Sequence, residues 1–187
     1  MPFYRPGRLR FFVALMILVL VWQSGYSKSI VIIGREVIDR NIQYKDVELD
    51  ISRGYFQIVN QATLKIQDCV IKGIITPHKP NLIDLVSGHL ILKNNRFTIS
   101  SSGLPETPVN ATLYNVIEVL QGDVMILGNK FVTDKPYTIG LLVTGKFVLS
   151  NFYLINNIVK NFHDAMSLLV SHFSPGDAFS ICRWEAT

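Results

Sequence analysis

Gly88-His-Leu-Ile-Leu-Lys-Asn-Asn-Arg-Phe97 is followed 34 residues later by Gly122-Asp-Val-Met-Ile-Leu-Gly-Asn-Lys-Phe131, a ten-residue block of the same design. A small residue opens each block, apolar residues hold the third, fifth and tenth positions, and an Asn-like pair stands at the seventh and eighth. Two further copies read Ala62-Thr-Leu-Lys-Ile-Gln-Asp-Cys-Val-Ile71 and Gly145-Lys-Phe-Val-Leu-Ser-Asn-Phe-Tyr-Leu154. Their first residues are spaced by 26, 34 and 23, and the longest interval carries Ser100-Ser-Ser-Gly-Leu-Pro-Glu-Thr-Pro108, which reads as a loop insertion. Self-similarity at such a period marks a repeat architecture.

Within each block the third and fifth residues are Leu64 and Ile66, Leu90 and Leu92, Val124 and Ile126, Phe147 and Leu149. A period of two places them on one face of a strand. The tenth residue, Ile71, Phe97, Phe131 or Leu154, opens a second strand just after a corner. That corner begins with Asp68, Asn94, Gly128 or Asn151, the residue types that most readily enter the left-handed backbone region. Another strand precedes each later block: Leu82–Val86, Val116–Leu120 and Ile139–Val143 all end two residues before the opening small residue. Each unit thus holds about three short strands and no helix, and it buries its apolar face only by stacking on its neighbours. Asn156-Asn157-Ile158-Val159, with Ser167–Val170, reads as a fifth, less regular turn; Ile30–Ile33 and Asp46–Ile51 supply a capping strand and an opening rung. A sandwich of hairpins is the competing all-β reading, but its turns would not demand one Asn-like residue per unit.

The blocks Leu92-Lys-Asn-Asn-Arg-Phe97, Ile126-Leu-Gly-Asn-Lys-Phe131 and Ile66-Gln-Asp-Cys-Val-Ile71 resemble the coil signature of the right-handed parallel β-helix of the pectate-lyase-like superfamily. The resemblance covers roughly Asp46 to Val170. It implies an all-β solenoid of about five coils, with the side chains of Asn94, Asn151 and Asn156 stacked as a ladder inside the wall. Such motifs specify a fold better than a function.

The composition agrees with a folded body. Of 187 residues, 49% are hydrophobic and 17% charged, which excludes disorder, and two cysteines exclude a disulfide framework. Residues 1–27 have the layout of a signal peptide: Arg5, Arg8 and Arg10, an apolar run from Phe11 to Trp22, then small and polar residues to Ser27. As a helix that run is about 18 Å long, short of a bilayer core of about 30 Å. Cleavage after Ser27 is expected, leaving residues 28–187 as a single domain with no later membrane span; an uncleaved amino-terminal anchor is the alternative. Three of the 18 basic residues leave with the segment, so 15 remain against 14 acidic ones. The mature chain is nearly neutral, which argues against a nucleic-acid surface; the signal segment implies a place outside the cell, in the periplasm or at the cell surface.

Chemistry is harder to read. Asp84 and Glu118 each stand four residues before a block glycine, so stacking puts them on adjacent rungs about 4.8 Å apart, with Leu141 in the corresponding place on the next rung. Two such acids share a proton, hold a hard cation such as calcium, do acid/base work, or splay apart in solvent. They are the candidate catalytic and metal-binding residues. Leu82, Val86, Val116, Leu120, Ile139 and Val143, with Ile91, Met125 and Val148 in the next strand, alternate as outward residues. A wall so apolar is expected to be covered by the chain's own loops or termini, or by a partner. His78, His89, His163 and His172 lack metal-ligand spacing, and Lys72 and Arg96 read as solvated residues after a corner. Several rungs separate Cys69 from Cys182, so no disulfide between them is expected and both read as buried fillers. Asn110-Ala111-Thr112 is a glycosylation acceptor motif in the insertion. Ser174–Asp177 reads as a turn and Phe179–Trp184 as a last strand without a polar cap, as in a shortened relative of longer proteins or a chain ending against a partner.

Two functions follow from these expectations. The first is a non-catalytic secreted or envelope protein that recognises a polysaccharide or a protein through its outer wall. The second is a carbohydrate-active enzyme, a lyase, hydrolase or epimerase, working through Asp84 and Glu118.

Overall fold

The structure is a computed structural model and describes residues 28–104, 114–135, 141–162 and 164–168, with the backbone alone described for 141–150 and 164–168. The signal segment, the glycosylation motif, His163, His172, Cys182 and the carboxyl-terminal turn and strand all lie outside the described residues. Those residues form thirteen strands and no helix: β1 (Lys28–Ile38), β2 (Ile42–Lys45), β3 (Val47–Ile58), β4 (Ala62–Gln67), β5 (Val70–Ile75), β6 (Ile83–Leu85), β7 (Gly88–Lys93), β8 (Arg96–Ser101), β9 (Asn115–Leu127), β10 (Lys130–Thr133), β11 (Leu141–Ile155), β12 (Ile158–Lys160) and β13 (Asp164–Leu168). None of the described residues forms a helix long and apolar enough to cross a membrane.

All pairings between these strands are parallel and they join into one sheet. The pairings fall into three rows. One row runs through β2, β4, β7 and the second half of β9; another through β5, β8, β10 and β12; a third through β3, β6 and the first half of β9. Parallel neighbours cannot be joined by hairpins, so the chain travels around through the other two rows before returning beside itself. An all-β chain paired in this way is compatible with a solenoid.

Equivalent side chains stack in columns. Leu64, Leu90 and Val124 pair in register, as do Ile66, Leu92 and Ile126, and all six are buried. Ile71, Phe97 and Phe131 form another buried column, with the Phe97 and Phe131 rings stacked at a centroid distance of 4.4 Å.

The fourth block departs from the expected alignment. Gly145 pairs with Val119 and Leu149 with Gly122, while Phe152 and Leu154 pair with Val124 and Ile126. Leu149 therefore does not share a column with Leu92 and Ile126. The cause is a pair of register shifts in β11, between Gly145 and Val148 and between Leu149 and Phe152; each inserts one extra residue, as a β-bulge does. Val159, not Leu154, continues the column of Phe131. The corner Asn156-Asn157, expected to begin a further turn, belongs to this block.

The corner chemistry holds in kind and shifts by one residue in role. Asp68, Asn94 and Gly128 have φ of 55°, 54° and 64°, and Asn156, in place of Asn151, has 53°. Asp46 adds a corner of the same type at 54°. The implied ladder of Asn94, Asn151 and Asn156 is corrected, because all three are exposed. A left-handed residue turns its side chain outward and sends the next one in. The ladder is made of those next residues, Asn95, Asn129 and Asn157, which are 2%, 1% and 1% exposed. Asn95 Nδ2 donates to Asn129 Oδ1 (2.9 Å) and Asn129 Nδ2 to Asn157 Oδ1 (3.1 Å). Each amide also donates to a backbone carbonyl of the preceding pass, that of Ile66, Leu92 or Ile126.

Cys69 fills the same column one pass earlier. Its backbone N–H donates to Asn95 Oδ1 (3.0 Å), its thiol contacts the Gln67 carbonyl (3.1 Å), and burial pushes the thiol above its usual pKa. A thiol is a weak substitute for an amide. Cys69→Asn is therefore expected to stabilise the protein by about 1 kcal/mol, the net worth of one regained hydrogen bond, by donating to the carbonyl of Tyr44, which pairs with Ile66. Denaturant midpoints of Cys69→Asn and Cys69→Ala against wild type check this: the first should rise and the second fall.

Candidate functional site

The loop between β5 and β6 carries His78, Lys79, Pro80 and Asn81 over the outer face of the row that holds Tyr55, Asp84 and Glu118. Three anchors hold it. Thr76 and Lys79 exchange backbone hydrogen bonds of 3.0 Å in an isolated antiparallel bridge. The Pro80 carbonyl accepts the Asn115 N–H at 3.0 Å. Lys79 Nζ donates to the carbonyls of Ile51, Ser52 and Gly54 at 2.9, 3.0 and 3.1 Å. Gly54 is required beneath this cradle, since a Cβ there would lie 2.6 Å from the Gly34 carbonyl oxygen. Burial lowers the Lys79 pKa to about 8, against the pull of the nearby Asp50 carboxylate.

Together these residues line a cleft of about 300 Å³. Asp84 pairs in register with Glu118, as the stacking argument expects. The two carboxylates do not splay apart. Asn81, itself 7% exposed, donates its amide to Asp84 Oδ1 and to Glu118 Oε2, the second bond being 2.8 Å. Burial raises the Asp84 pKa; the Asn81 hydrogen bond opposes the shift and the Glu118 charge adds to it. The next position in the column belongs to Thr144, which pairs with Glu118, and not to Leu141, which pairs with Asn115. Among the described residues no three His, Cys, Asp or Glu side chains converge as a metal cage, and a cation at the acid pair would have to displace or turn the Asn81 amide.

A raised carboxyl pKa has a definite consequence for stability. The native state holds the Asp84 proton at pH values where the unfolded chain has lost it, so stability falls as pH rises from the ordinary carboxylate range through the native value. Asp84→Asn keeps the Asn81 bond and removes both the buried charge and the repulsion. It is expected to raise the thermal midpoint at pH 7 by a few degrees and to leave it unchanged or lower below pH 3.5. Melting curves across that range check both signs.

The other sequence-selected residues sit elsewhere. Lys72, in the row of β5, pairs with Glu48 at 2.5 Å on the surface, and Arg96 is exposed in the same row. Leu82 and Val116, expected to point outward, are fully buried; Leu82 packs over Gly73, where an added Cβ would lie 2.5 Å from Leu82 Cδ1. Val86, Leu120, Ile91 and Met125 are half-buried, so the apolar wall is narrower than the alternation predicts. Ile139 lies outside the described residues, and only the backbone of Val143 and Val148 is described. Tyr55, Lys79 and Asn81 were missed by sequence reasoning; the one available signal was a Pro-bracketed polar loop, Pro77-His78-Lys79-Pro80-Asn81, immediately before the strand of Asp84.

No family model, curated protein or solved structure matches this chain.

Proposed function

We propose that the chain is a right-handed parallel β-helix of about five coils, of the pectate-lyase-like kind, exported by residues 1–27 and acting outside the cell or in its envelope as a recognition module for polysaccharide. Support for the coil reading comes from parallel in-register columns and from left-handed corners repeated at Asp46, Asp68, Asn94, Gly128 and Asn156. The observation that carries the functional reading is the Asn81 amide set between Asp84 and Glu118 in a cleft lined by Tyr55. The Asp84 and Glu118 carboxylates, held in place by the two Asn81 amide hydrogens, present acceptor oxygens that suit vicinal hydroxyls, and an aromatic ring offers a surface for the apolar face of a sugar.

The raised Asp84 pKa favours one second reading, a carbohydrate-active enzyme in which protonated Asp84 is the acid and Glu118 its partner. A panel of neutral and acidic oligosaccharides, assayed for binding and turnover against wild type and the Asp84→Ala, Glu118→Ala double variant, separates the two. The recognition reading expects binding without turnover, lost in the double variant. Turnover abolished in that variant supports the enzyme, and binding of proteins but no glycan would replace polysaccharide with a protein partner. Calcium is tested apart: an unchanged thermal midpoint at millimolar calcium removes it.

A further inference from the structure

On the neighbouring row lies a second groove, of about 350 Å³, that the acid pair does not enter. Its polar side is built from one register position on successive passes: His89 pairs with Asp123, and Asn151 follows within the bulged part of β11. His89 Nδ1 and Asp123 Oδ2 are 2.8 Å apart, and Asn151 Nδ2 donates to Asp123 Oδ1 at 3.1 Å. Both carboxylate oxygens are therefore engaged, which fixes the carboxylate and through it the imidazole. A carboxylate only accepts, so the proton of the neutral ring sits on Nδ1, and Nε2 is left with its lone pair. Two positions along each strand, on the same outward face, Ile91, Met125 and Tyr153 form an apolar strip beside this row and line the same groove.

We propose that this groove is a hydrolytic site for esters of short apolar acyl groups, with His89 as the general base and Asp123 as the residue that positions it. Water attacks the ester carbonyl while His89 Nε2 takes its proton, forming a C–O bond and a tetrahedral oxyanion. The second amide hydrogen of Asn151 is the donor assigned to that oxygen. Collapse breaks the bond to the alcohol, and His89 returns the proton to the departing alkoxide, leaving alcohol and carboxylic acid. The acyl chain lies on the Ile91, Met125 and Tyr153 strip. The proposal does not rest on polysaccharide recognition at the acid pair, since the two sites share no residue.

The test is hydrolysis of p-nitrophenyl acetate and butyrate by the full chain, measured against free imidazole at equal concentration. Expected are saturable kinetics, a kcat/KM at least about a hundred-fold above imidazole, the contribution a placed base makes, and a preference for butyrate. His89→Gln should lose that hundred-fold, and Asp123→Asn should lower kcat about tenfold or more with KM within twofold. Circular dichroism of both variants separates lost chemistry from lost folding. A rate no faster than imidazole, or activity unchanged in folded His89→Gln or Asp123→Asn, overturns the proposal.

Discussion

Gly122→Ala is expected not to fold. Gly122 has φ of +135°, outside the region L side chains adopt, and a Cβ there would lie 2.0 Å from the backbone oxygen of Gly88. Gly88 is under the same constraint one pass earlier, with φ of +138° and a Cβ position 2.3 Å from the Ala62 oxygen. Backbone meets backbone at this corner, so no side chain can rotate away to relieve the overlap; the passes would have to separate and break the adjoining columns. The expected cost exceeds about 4 kcal/mol, beyond ordinary single substitutions. Gly34→Ala provides the contrast. Gly34 also has a positive φ, 70°, but an added Cβ meets nothing within 4 Å. It should cost only the left-handed penalty of about 1–2 kcal/mol. Soluble yield, circular dichroism and denaturant midpoints of the two variants read the difference.

Asn129→Ala is expected to cost about 3–5 kcal/mol. Asn129 accepts the backbone N–H and the side-chain amide of Asn95, and donates to Asn157 and to the carbonyls of Leu92 and Leu127. Truncation removes these bonds together and leaves buried donors and acceptors on both neighbouring passes without partners, which costs more than the bonds themselves contribute. Asn94→Ala, one residue earlier and exposed, should cost about 1–2 kcal/mol, because it loses a favoured left-handed conformer and one exposed bond to Asp68. Urea unfolding monitored by far-ultraviolet circular dichroism gives both values. Equal costs for the two variants would mean that the inward column is not the structural ladder.

Much of the fold was legible because local chemistry and stacking demand the same residues. A tight corner needs a left-handed residue, a strand with one buried face needs period two, and both requirements recur whenever the chain returns beside itself. Asp68, Asn94 and Gly128 were readable for that reason. The fourth block misled because its pattern is degenerate: Gly145, Phe147, Leu149 and Asn151 satisfy the motif as well as Phe152, Leu154 and Asn156 do. Only the bulges in β11 select between them, and a bulge leaves no compositional mark at this site. The ladder was off by one residue because a corner pair contains two Asn-like positions with opposite side-chain directions.

The candidate site was half legible. Asp84 and Glu118 belong to the repeat, so register alone brought them together. Asn81 and Lys79 sit on a loop outside the repeat, and their contacts depend on how that loop folds back over β3, which periodicity does not encode. Leu82 looked outward from alternation alone; the side-chain-free Gly73 beneath it opens the space that takes it in. His89 and Asp123 hold the second position of successive blocks, so the same register brings them together, but sequence reasoning did not single out Asp123.

In-register parallel stacking is tested most directly by cysteine pairs on an outer row. Lys72, Thr98 and Val132 occupy one position on β5, β8 and β10. The Thr98→Cys, Val132→Cys and Lys72→Cys, Thr98→Cys variants, each joining adjacent passes about 4.8 Å apart, are expected to form the engineered disulfide under mild oxidation of the native protein. Lys72→Cys, Val132→Cys, two passes apart, is expected to stay reduced, as mapped by mass spectrometry of non-reduced peptides. A bond in the distant pair with none in the adjacent pairs would contradict the stacking.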